Sequence, residues 1–585
     1  MGSAVGEDAK VIEPQTPVSG GDAERDSAGA QPDGDSGESL TGFRLVSCLA
    51  ALLMCNFVVS LDMNWSLNDI ETDWLTQTIL ATAIPRIVEE FSSLEDIGWY
   101  GSSFFLTISA FSQFWGKAYT YFSLKWVLMT AIVIFEVGSL ICGVAKNSPT
   151  LIIGRAITGA GGAGISNGCY TIIGVVAKPE KRPAYTGILA AMYGFAAVIG
   201  PLIGGAFTTN VTWRWCFYLN LPIGGFAAFI LLFIARLPSS KMVKTTTKEA
   251  LLNMDLVGAG LIMAAFVCYL LPLQHGGTTK SWRSPTVIGL LVGFVLLLAV
   301  FTVHQLWLGE RAMMIPRLIK QRRIISLAMF NLFMAGSFFT FVYYLPIYFQ
   351  VIGHYSALGS AVQNLPLILG STVFGIVAGV LMVPVGHFHV FLISGAVLVA
   401  VGGGLTCTLQ VGLDTGKHVG YQLLVGVGAG LCLQVPVMVG QAFSLPADVA
   451  STTAILLFFQ TMGGTIVISA SQSIFTNGLV NALKSAGFHN TSLVLSSDTS
   501  HLSSVLTADE MAVVLPAYLT GLRNAWAMAT ACGGAALLSS AIARFENMKN
   551  ATAQQKDAVA EAKDNNKLSG SSTPAESVGE KGISD

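Results

Sequence analysis

Residues 285–306 read PTVIGLLVGFVLLLAVFTVHQL and contain no aspartate, glutamate, lysine or arginine. A helix needs about 20 apolar residues to cross a hydrocarbon core about 30 Å thick, so this run is long enough to span a bilayer. Backbone amides find no water partner in lipid, and a run that faces lipid must therefore be helical. The chain is thus expected to lie in a membrane.

Thirteen other runs have similar length and apolarity. The sequence of 585 residues is 52% hydrophobic and 11% charged, a balance that excludes an ordinary soluble protein. We therefore predict an all-α polytopic membrane protein with fourteen transmembrane helices. The predicted spans are residues 43–63, 99–121, 125–145, 150–176, 184–206, 215–236, 254–273, 285–306, 324–350, 361–385, 388–410, 421–442, 450–472 and 522–544.

The sequence offers no sign of catalytic or nucleic-acid chemistry. The nine cysteines lie in or beside apolar runs without metal-ligand or redox spacing. There is no intramembrane histidine pair, no Ser/His/Asp set placed by a motif and no phosphate-binding loop. We predict that the protein is not an enzyme, has no cofactor or metal, is not driven by ATP and binds no nucleic acid.

Basic residues are unevenly divided between the two sides of the predicted membrane, and cytoplasmic loops carry an excess of lysine and arginine. With an even number of spans, both termini are then expected inside the cell. The richer side holds Lys117, Lys125, Lys178, Lys181, Arg182, Arg236, Lys241, Lys244, Lys248, Arg311, Arg317, Lys320, Arg322 and Arg323. The other side holds Arg86, Lys146, Arg214, Lys280, Arg283, Lys417, Lys484 and Arg523.

The two ends of the chain are polar and poor in apolar residues. Residues 1–42 and 546–585 hold charged residues among Gly, Ser, Pro and Ala, and we expect both to be disordered cytoplasmic tails. On the predicted outer side, Asn210 in NVT and Asn490 in NTS are candidate glycosylation sites. There too, the stretch from Ala508 to Leu522 is apolar enough to form a helix along the membrane surface.

Three charged residues lie deep in the predicted spans: Asp62, Glu136 and Arg155. Each costs about 2.5–3.5 kcal/mol on insertion scales, so each should face the protein interior and have a partner or a function. A buried carboxylate suits proton transfer, and we favour that role for Asp62. For Glu136 and Arg155, a purely structural pairing remains open.

Uncharged hydrogen-bonding residues and aromatic residues also occur within the apolar runs. A cavity for a bulky, weakly polar solute needs mostly apolar walls with a few amides and hydroxyls. The alternative is that these groups bond across helix contacts. The candidate cavity residues are Asn220, Tyr344, Gln363, Asn364, Gln434 and Gln460.

Small residues are concentrated in two of the runs. Residues 151–164, LIIGRAITGAGGAG, surround Arg155 with glycine, and residues 194–205, GFAAVIGPLIGG, place small residues four apart on a run that contains proline. Such spacing lets helices approach closely, and proline adds a kink. The second set comprises Gly194, Gly200, Pro201, Gly204 and Gly205.

These two segments resemble the RxxxG element and the GPxxGG antiporter element of the major facilitator superfamily. Further similarity lies in residues 213–225 (WRWCFYLNLPIGG), 309–313 (GERAM) and 345–350 (LPIYFQ), which resemble the fourteen-span drug:proton antiporter branch of filamentous fungi. The loop at residues 116–126 (GKAYTYFSLKW) is similar to the family's cytoplasmic loop but lacks its usual aspartate and arginine pair.

The resemblance implies two six-helix bundles, residues 43–236 and 321–545, joined by residues 237–320, which contain two inserted helices. Substrate would bind near the midplane between the bundles and face each side in turn. By the same resemblance, Arg155 tunes proton transfer, and the interface formed by Gly200, Pro201, Gly204 and Gly205 limits leakage.

The family's first helix typically carries a continuous SLDxTIxxxAxP motif, and here its two halves are separated. SLDM ends at Met63 and TILATAIP begins at Thr78, with NWSLNDIETDWLTQ between them, from Asn64 to Gln77. We interpret this segment as a gene-model or retained-intron artefact, and a genuine extracellular insertion is the alternative. Sequencing the transcript across this segment decides between them.

The function implied is proton-coupled efflux of a small amphipathic organic compound, such as a toxin, secondary metabolite or drug, with Asp62 as the favoured proton carrier and Glu136 as a second one. The expected partners are that solute, protons and lipid, and the expected form is a plasma-membrane monomer. A vacuolar location, uptake of an iron chelate or vacuolar amino acid, and a non-transporting membrane sensor remain alternatives.

Overall fold

The computed structural model describes residues 42–67, 87, 90–91, 97–235, 237, 246–277, 280–412, 414–488, 491, 494, 506–542 and 546–549. Within these ranges the chain is almost wholly helical, and its β-type pairing is limited to two isolated bridges. The all-α prediction is confirmed. Of residues 64–77, the structure describes residues 64–67, which form the end of one helix, and most of the interrupted motif lies outside the described residues.

Among the described residues, fourteen long helices coincide with the fourteen predicted spans. They are α1 (Gly42–Leu67), α2 (Ile97–Tyr121), α3 (Leu124–Gly143), α4 (Ser148–Val176), α5 (Arg182–Asn210), α6 (Trp215–Ile234), α7 (Leu256–His275), α8 (Pro285–Leu308), α9 (Arg322–Val351), α10 (Leu365–Val385), α11 (Phe388–Thr406), α12 (Thr415–Phe443), α13 (Val449–Ser485) and α14 (Ala508–Ile542). The stretch predicted to lie along the membrane surface is instead the first part of α14, so that prediction is wrong.

Twelve of these helices are both long and apolar enough to cross a membrane. Helix α2 is long enough, but serine, threonine, glutamine and lysine lower its hydropathy, and glycine does the same in α4. Both are largely covered by neighbouring helices, where polar and small residues meet protein. Hydropathy therefore supports twelve spans, and the predicted count of fourteen is not confirmed.

The helices form two packed groups. Helices α1–α6 contact one another, α9–α14 contact one another, and the groups meet along α2 with α13 and along α5 with α10. Small residues permit the second contact: a Cβ atom on Gly187 of α5 would lie 2.9 Å from the carbonyl oxygen of Gly375 on α10. The interface between the groups is thus built from close helix approaches.

Helix α4 lies between α2 and α3 and uses glycine on both sides. A Cβ atom on Gly161 would lie 2.7 Å from the Cα of Phe135 and 2.9 Å from the carbonyl oxygen of Ala131, both on α3. A Cβ atom on the next residue, Gly162, would meet nothing closer than 3.5 Å. The glycine-rich sequence therefore sets how closely α3 and α4 pack.

Gly161→Ala is expected to lower the free energy of unfolding by about 1–3 kcal/mol, because the added methyl meets backbone atoms that have no room to move. Gly162→Ala is the matched control on the same helix, and it should leave stability nearly unchanged. Thermal unfolding of the two purified variants in detergent measures the difference. Equal melting temperatures would contradict the tight α3 to α4 contact.

The inserted helices α7 and α8 are anchored differently from each other. Helix α7 packs against α2 and α13, and the Tyr269 hydroxyl donates a hydrogen bond to the carbonyl oxygen of Ile466 at 3.0 Å. Helix α8 buries little of its surface and packs mainly on α7. Because α7 touches both helix groups, it lies beside their interface.

A buried aspartate at the start of α7 fixes this pair of helices to the segment that follows them. Asp255 has a left-handed backbone (φ 45°) and accepts hydrogen bonds from the backbone nitrogens of Gly258 and Met313 at 2.8 and 3.0 Å. His304 and Gln305 of α8 contact the same carboxylate at 2.9 and 2.7 Å. One side chain thus holds three parts of the chain together.

Asp255→Asn is expected to destabilise the protein by about 2–3 kcal/mol, because the new amide nitrogen faces hydrogen-bond donors that then lack an acceptor. Asparagine also tolerates the left-handed backbone, so the loss reports on hydrogen bonding. Asp414→Asn is the control, since Asp414 is 56% exposed in its pair with Lys417. A melting temperature lowered equally by both changes would contradict the role given to Asp255.

Four residues of the predicted disordered C-terminal tail are ordered. Glu546 forms an ion pair with Arg323 of α9, and the backbone nitrogen of Met548 donates to the carbonyl oxygen of Gly386 at 2.7 Å. The Met548 side chain is 3% exposed. This short segment therefore packs against the end of the second helix group that the charge pattern predicts to be cytoplasmic.

Candidate functional site

A central cavity lies between the two helix groups, and the empty space among its lining atoms, open solvent included, is about 1020 Å³. Its walls come from α1, α2, α4 and α5 on one side and from α9, α10, α12 and α13 on the other. Most of the lining is apolar, and the polar part consists of amides and hydroxyls. The polar lining residues are Asn56, Ser60, Ser112, Ser166, Asn167, Tyr170, Tyr193, Ser371, Thr372, Gln434, Gln460 and Thr461.

Two of the six candidate cavity residues, Gln434 and Gln460, line this cavity. Asn220 does not, because its amide lies inside the first helix group and donates a hydrogen bond to Ser139 at 3.2 Å. Tyr344 likewise points into its own group, where its hydroxyl donates to Gln472 at 2.7 Å. Both residues bind neighbours within one bundle and are not available to the space between bundles.

The other two candidates, Gln363 and Asn364, lie where the short helix Ala357–Gln363 joins α10. The Gln363 amide oxygen is 3.2 Å from a ring nitrogen of His418, at the start of α12. Asn364 is 3% exposed and flanks the start of α10. These residues therefore connect helix ends and lie outside the central cavity.

Asp62 and Arg155 form an ion pair inside the first helix group. Arg155 Nη1 lies 2.9 Å from Asp62 Oδ1, and both side chains are fully buried. The pair joins α1 to α4. Breaking such a pair leaves a buried charge without its partner, which is far more costly than breaking a surface pair.

The surroundings of Arg155 hold the guanidinium in a fixed position. Its Nε donates a hydrogen bond to the carbonyl oxygen of Tyr100 at 2.9 Å. The Phe104 and Phe217 rings lie 4.6 and 5.9 Å from Cζ, and both contacts are favourable for a cation over an aromatic face. Helices α2, α4 and α6 thus position the charge that faces Asp62.

Asp62 does not line the cavity, but its helix does. Asn56, Ser60 and Met63 of α1 face the cavity, while Asp62 faces Arg155. Residues three and four apart share one face of a helix, so Ser60 and Met63 point one way and Asp62 another. Helix α1 therefore carries the cavity wall on one side and the ion pair on the other.

Glu136 of α3 lies near this pair without joining it. Its side chain packs against Gly224 of α6, where a Cβ atom would collide with the carboxylate. Both carboxylate oxygens are buried and accept no hydrogen bond from the described residues.

The two helix groups are in polar contact at the end predicted to be cytoplasmic. Lys117 Nζ of α2 donates to the carbonyl oxygen of Glu310 at 2.8 Å. The Glu310 side chain binds Arg317, and Arg317 in turn binds Asp448 with two hydrogen bonds of 2.9 and 3.0 Å. This chain of contacts runs from the first group to the second through the segment after α8.

Direct contacts between the groups close the same end. Gln441 Nε2 of α12 donates to the carbonyl oxygen of Tyr170 of α4 at 3.0 Å, and the Thr120 and Ser451 hydroxyls share a hydrogen bond of 3.3 Å. Lys117 and Thr120 belong to the loop motif that lacks the usual charged pair. In this structure, neutral hydrogen bonds and the chain of contacts from Lys117 to Asp448 join the bundles there.

On the opposite side, the tryptophan-rich motif that follows α5 binds Glu90. Arg214 donates to both carboxylate oxygens of Glu90 at 2.7 and 3.1 Å, and Trp213 Nε1 donates to Glu90 at 3.0 Å. The Arg214 hydrogen bonds hold the pKa of Glu90 below its usual range. Both partners are partly exposed, so salt weakens this attraction.

The glycine residues of the GPxxGG segment lie on α5. Gly194 contacts Thr372 of α10 so closely that a Cβ atom there would overlap the hydroxyl. Gly200 and Gly204 are buried, and the backbone from Gly200 to Gly205 is helical. Of the two candidate glycosylation sites, Asn210 is exposed at the end of α5, and Asn490 is outside the described residues.

Similarity to known proteins supports the family resemblance. The profile of the Major Facilitator Superfamily matches residues 72–468. An MFS-type transporter of Pestalotiopsis microspora, GME11371, is 43% identical over 528 residues, which cover 89% of this chain and 94% of that protein. The MFS-type efflux pump MFS1 of Arthroderma benhamiae is 40% identical over 512 residues, covering 87% and 93%.

A solved structure agrees in fold. The crystal structure of a double tryptophan mutant of XylE has a TM-score of 0.58 and 14% sequence identity, and the match covers 87% of this chain and 99% of that one. The predicted family, fold class and absence of enzymatic activity are confirmed. This chain belongs to the Major Facilitator Superfamily and is a membrane transporter.

Proposed function

We propose that the protein exports a small amphipathic organic compound in exchange for protons, by alternating exposure of the central cavity. The observation that carries this proposal is the fully buried pair of Asp62 and Arg155 on a helix that also lines the cavity. A fixed buried charge pair with a titratable member is a site where one proton changes the local charge. Helix α1 carries both Asp62 and part of the cavity wall, so a change of charge at Asp62 acts on the helix that contacts the substrate.

The coupling step follows from the charges in the pair. A proton on Asp62 removes its attraction for Arg155 and leaves the guanidinium in need of another partner. The ion pair stabilises one packing of α1 against α4. Protonation of Asp62 removes part of that stabilisation, so the population of another packing increases. Substrate that prefers one arrangement changes proton affinity by the same coupling free energy. Glu136 is a second candidate carrier.

The direction and setting of transport rest on similarity and charge. Relatives that include MFS1 and the probable efflux pump gsfJ of Penicillium aethiopicum are named efflux pumps, which favours export. The excess of basic residues on one side favours cytoplasmic termini. We propose fourteen spans, residues 43–236 and 321–545 as the two bundles, residues 237–320 as the connecting insert, and a plasma-membrane monomer.

Proteoliposomes with an acidic lumen test this proposal. An antiporter lets protons leave and accumulates solute inside in either orientation, whereas a symporter expels it. Tritiated estradiol and rhodamine 6G serve as a neutral and a charged probe, and nigericin removes the gradient as a control. Gradient-dependent accumulation of either probe supports the proposal. If neither probe accumulates, or if the pH gradient drives the probes out of the vesicles, the proposal is contradicted.

A further inference from the structure

We propose that the central cavity selects uncharged, flat polycyclic molecules that carry at least one hydrogen-bond donor, such as a phenol, an alcohol or an N–H group. This inference rests on the proposed function, since it names the substrate class of the same cavity. It depends on three features of the walls: their lack of charge, their unfilled acceptors and their aromatic surface.

The first feature is electrostatic. Among the residues the structure describes, none that lines the cavity is aspartate, glutamate, lysine, arginine or histidine. The nearby charges of Asp62 and Arg155 face each other, and neither side chain lines the cavity. A charged solute would lose hydration without gaining a counter-ion, and that loss is costly in a mostly apolar site. The cavity therefore favours solutes in their neutral form.

The second feature is an excess of hydrogen-bond acceptors on the wall formed by α4. Asn167 is 1% exposed, and its Nδ2 donates to Ser112 Oγ and to the carbonyl oxygen of Ala163, both at 2.9 Å. Because a carbonyl oxygen only accepts, the orientation of this amide is fixed. Its Oδ1 accepts no hydrogen bond from the described residues.

The facing wall carries another amide. Gln434 of α12 lines the cavity, and its Oε1 is buried without a hydrogen bond from the described residues. A buried acceptor without a donor loses the hydrogen bond that it makes with water in the unfolded chain. A solute that donates hydrogen bonds recovers this loss, whereas one that only accepts does not. Each bundle thus holds one buried acceptor on a residue that lines the cavity.

The third feature is shape. Phe338 and Phe339 of α9 and Tyr193 of α5 line the cavity, and the Tyr193 and Phe339 rings meet edge to face at 5.7 Å between centroids. Aromatic walls favour flat ring systems, which pack against them by stacked or edge contacts.

Three compounds with one skeleton test the selectivity: estradiol, its dimethyl ether and its 3-sulfate. Saturable binding of tritiated estradiol to the purified protein is measured at equilibrium, without a pH gradient, and the other two compounds compete. The dimethyl ether lacks donors and should bind about 10-fold more weakly. The sulfate is charged and should bind about 100-fold more weakly.

Two variants at one position connect the selectivity to the cavity wall. Gln434→Lys introduces a cation and should raise the affinity for the sulfate at least 10-fold relative to wild type. Gln434→Met removes the amide without adding charge, so it should weaken estradiol binding and leave sulfate binding weak. Gel filtration confirms that each variant is folded before binding is measured.

Equal competition by estradiol and the sulfate, or by estradiol and the dimethyl ether, would overturn the inference. So would a lack of saturable estradiol binding, or sulfate binding that is unchanged in folded Gln434→Lys. The test is independent of proton coupling. If the compounds bind in the expected order but the pH gradient drives no accumulation, the transport proposal is contradicted and the cavity selectivity still stands.

Discussion

Arg155→Met is expected to lower the free energy of unfolding by about 3–5 kcal/mol, because it leaves the buried carboxylate of Asp62 without its cation. Both side chains are fully buried, and the guanidinium also donates a hydrogen bond to the carbonyl oxygen of Tyr100. Methionine has a similar length and fills the space beside Phe104 without charge. The change therefore removes mainly electrostatic stabilisation.

Two further variants isolate that electrostatic part. The double variant Asp62→Asn/Arg155→Met removes both charges and should recover most of the lost stability. Arg214→Met is the matched control, because its pair with Glu90 is partly exposed and should contribute only about 0–1 kcal/mol. Thermal unfolding in detergent compares the four proteins. An Arg155→Met protein as stable as Arg214→Met would contradict a tightly coupled buried pair.

Asp62→Asn is expected to abolish solute accumulation driven by a pH gradient, to the level of protein-free vesicles, when equal amounts of folded variant and wild-type protein are reconstituted. Asparagine keeps the size of aspartate and a hydrogen-bond acceptor for Arg155, but it exchanges no proton. Estradiol should still bind at equilibrium, because Asp62 does not line the cavity. Accumulation in proteoliposomes with an acidic lumen measures the effect.

Glu136→Gln distinguishes the two candidate carriers. If Asp62 carries the proton, this variant retains a substantial part of gradient-driven accumulation, since the Asp62 and Arg155 pair remains. Asp414→Asn, a change at an exposed ion pair, controls for the loss of an acidic residue in general. Unchanged accumulation by Asp62→Asn would remove Asp62 from the mechanism, and loss confined to Glu136→Gln would assign the role to Glu136.

The helices of this fold could be predicted from the sequence because length and apolarity are local properties. Charged residues within apolar runs were equally visible, since each carries a large insertion cost. The sequence singled out Asp62 and Arg155 but did not pair them, because their contact depends on how α1 packs against α4. The ion pair is a property of the tertiary structure.

The cavity was harder to predict. The sequence pointed to amides in the later spans and so found Gln434 and Gln460, but it missed Asn56, Asn167 and Tyr193 in the first bundle. A single polar residue in an apolar run forms no periodic pattern. The sequence therefore does not show whether that residue faces the other bundle or a neighbouring helix of its own bundle. The glycine-rich setting of Asn167 is the signal that could have drawn attention to it.

The same limit explains the other differences. Asn220 and Tyr344 are satisfied by hydrogen bonds within their own bundles, and that choice of partner is made by packing. Asp255 was not singled out, because its role depends on a left-handed backbone and on a segment far along the chain. Sequence patterns identify candidate polar groups, whereas tertiary contacts decide which groups face substrate.

We propose that a proton at the buried ion pair and a solute in the cavity move in opposite directions through one protein. The most direct test of this claim is to impose an estradiol gradient on vesicles that enclose a pH-sensitive dye and start without a pH gradient. Wild type should move protons against the flow of estradiol, and Asp62→Asn should not. Estradiol flux through wild type without proton movement, or equal proton movement in Asp62→Asn, would contradict the claim.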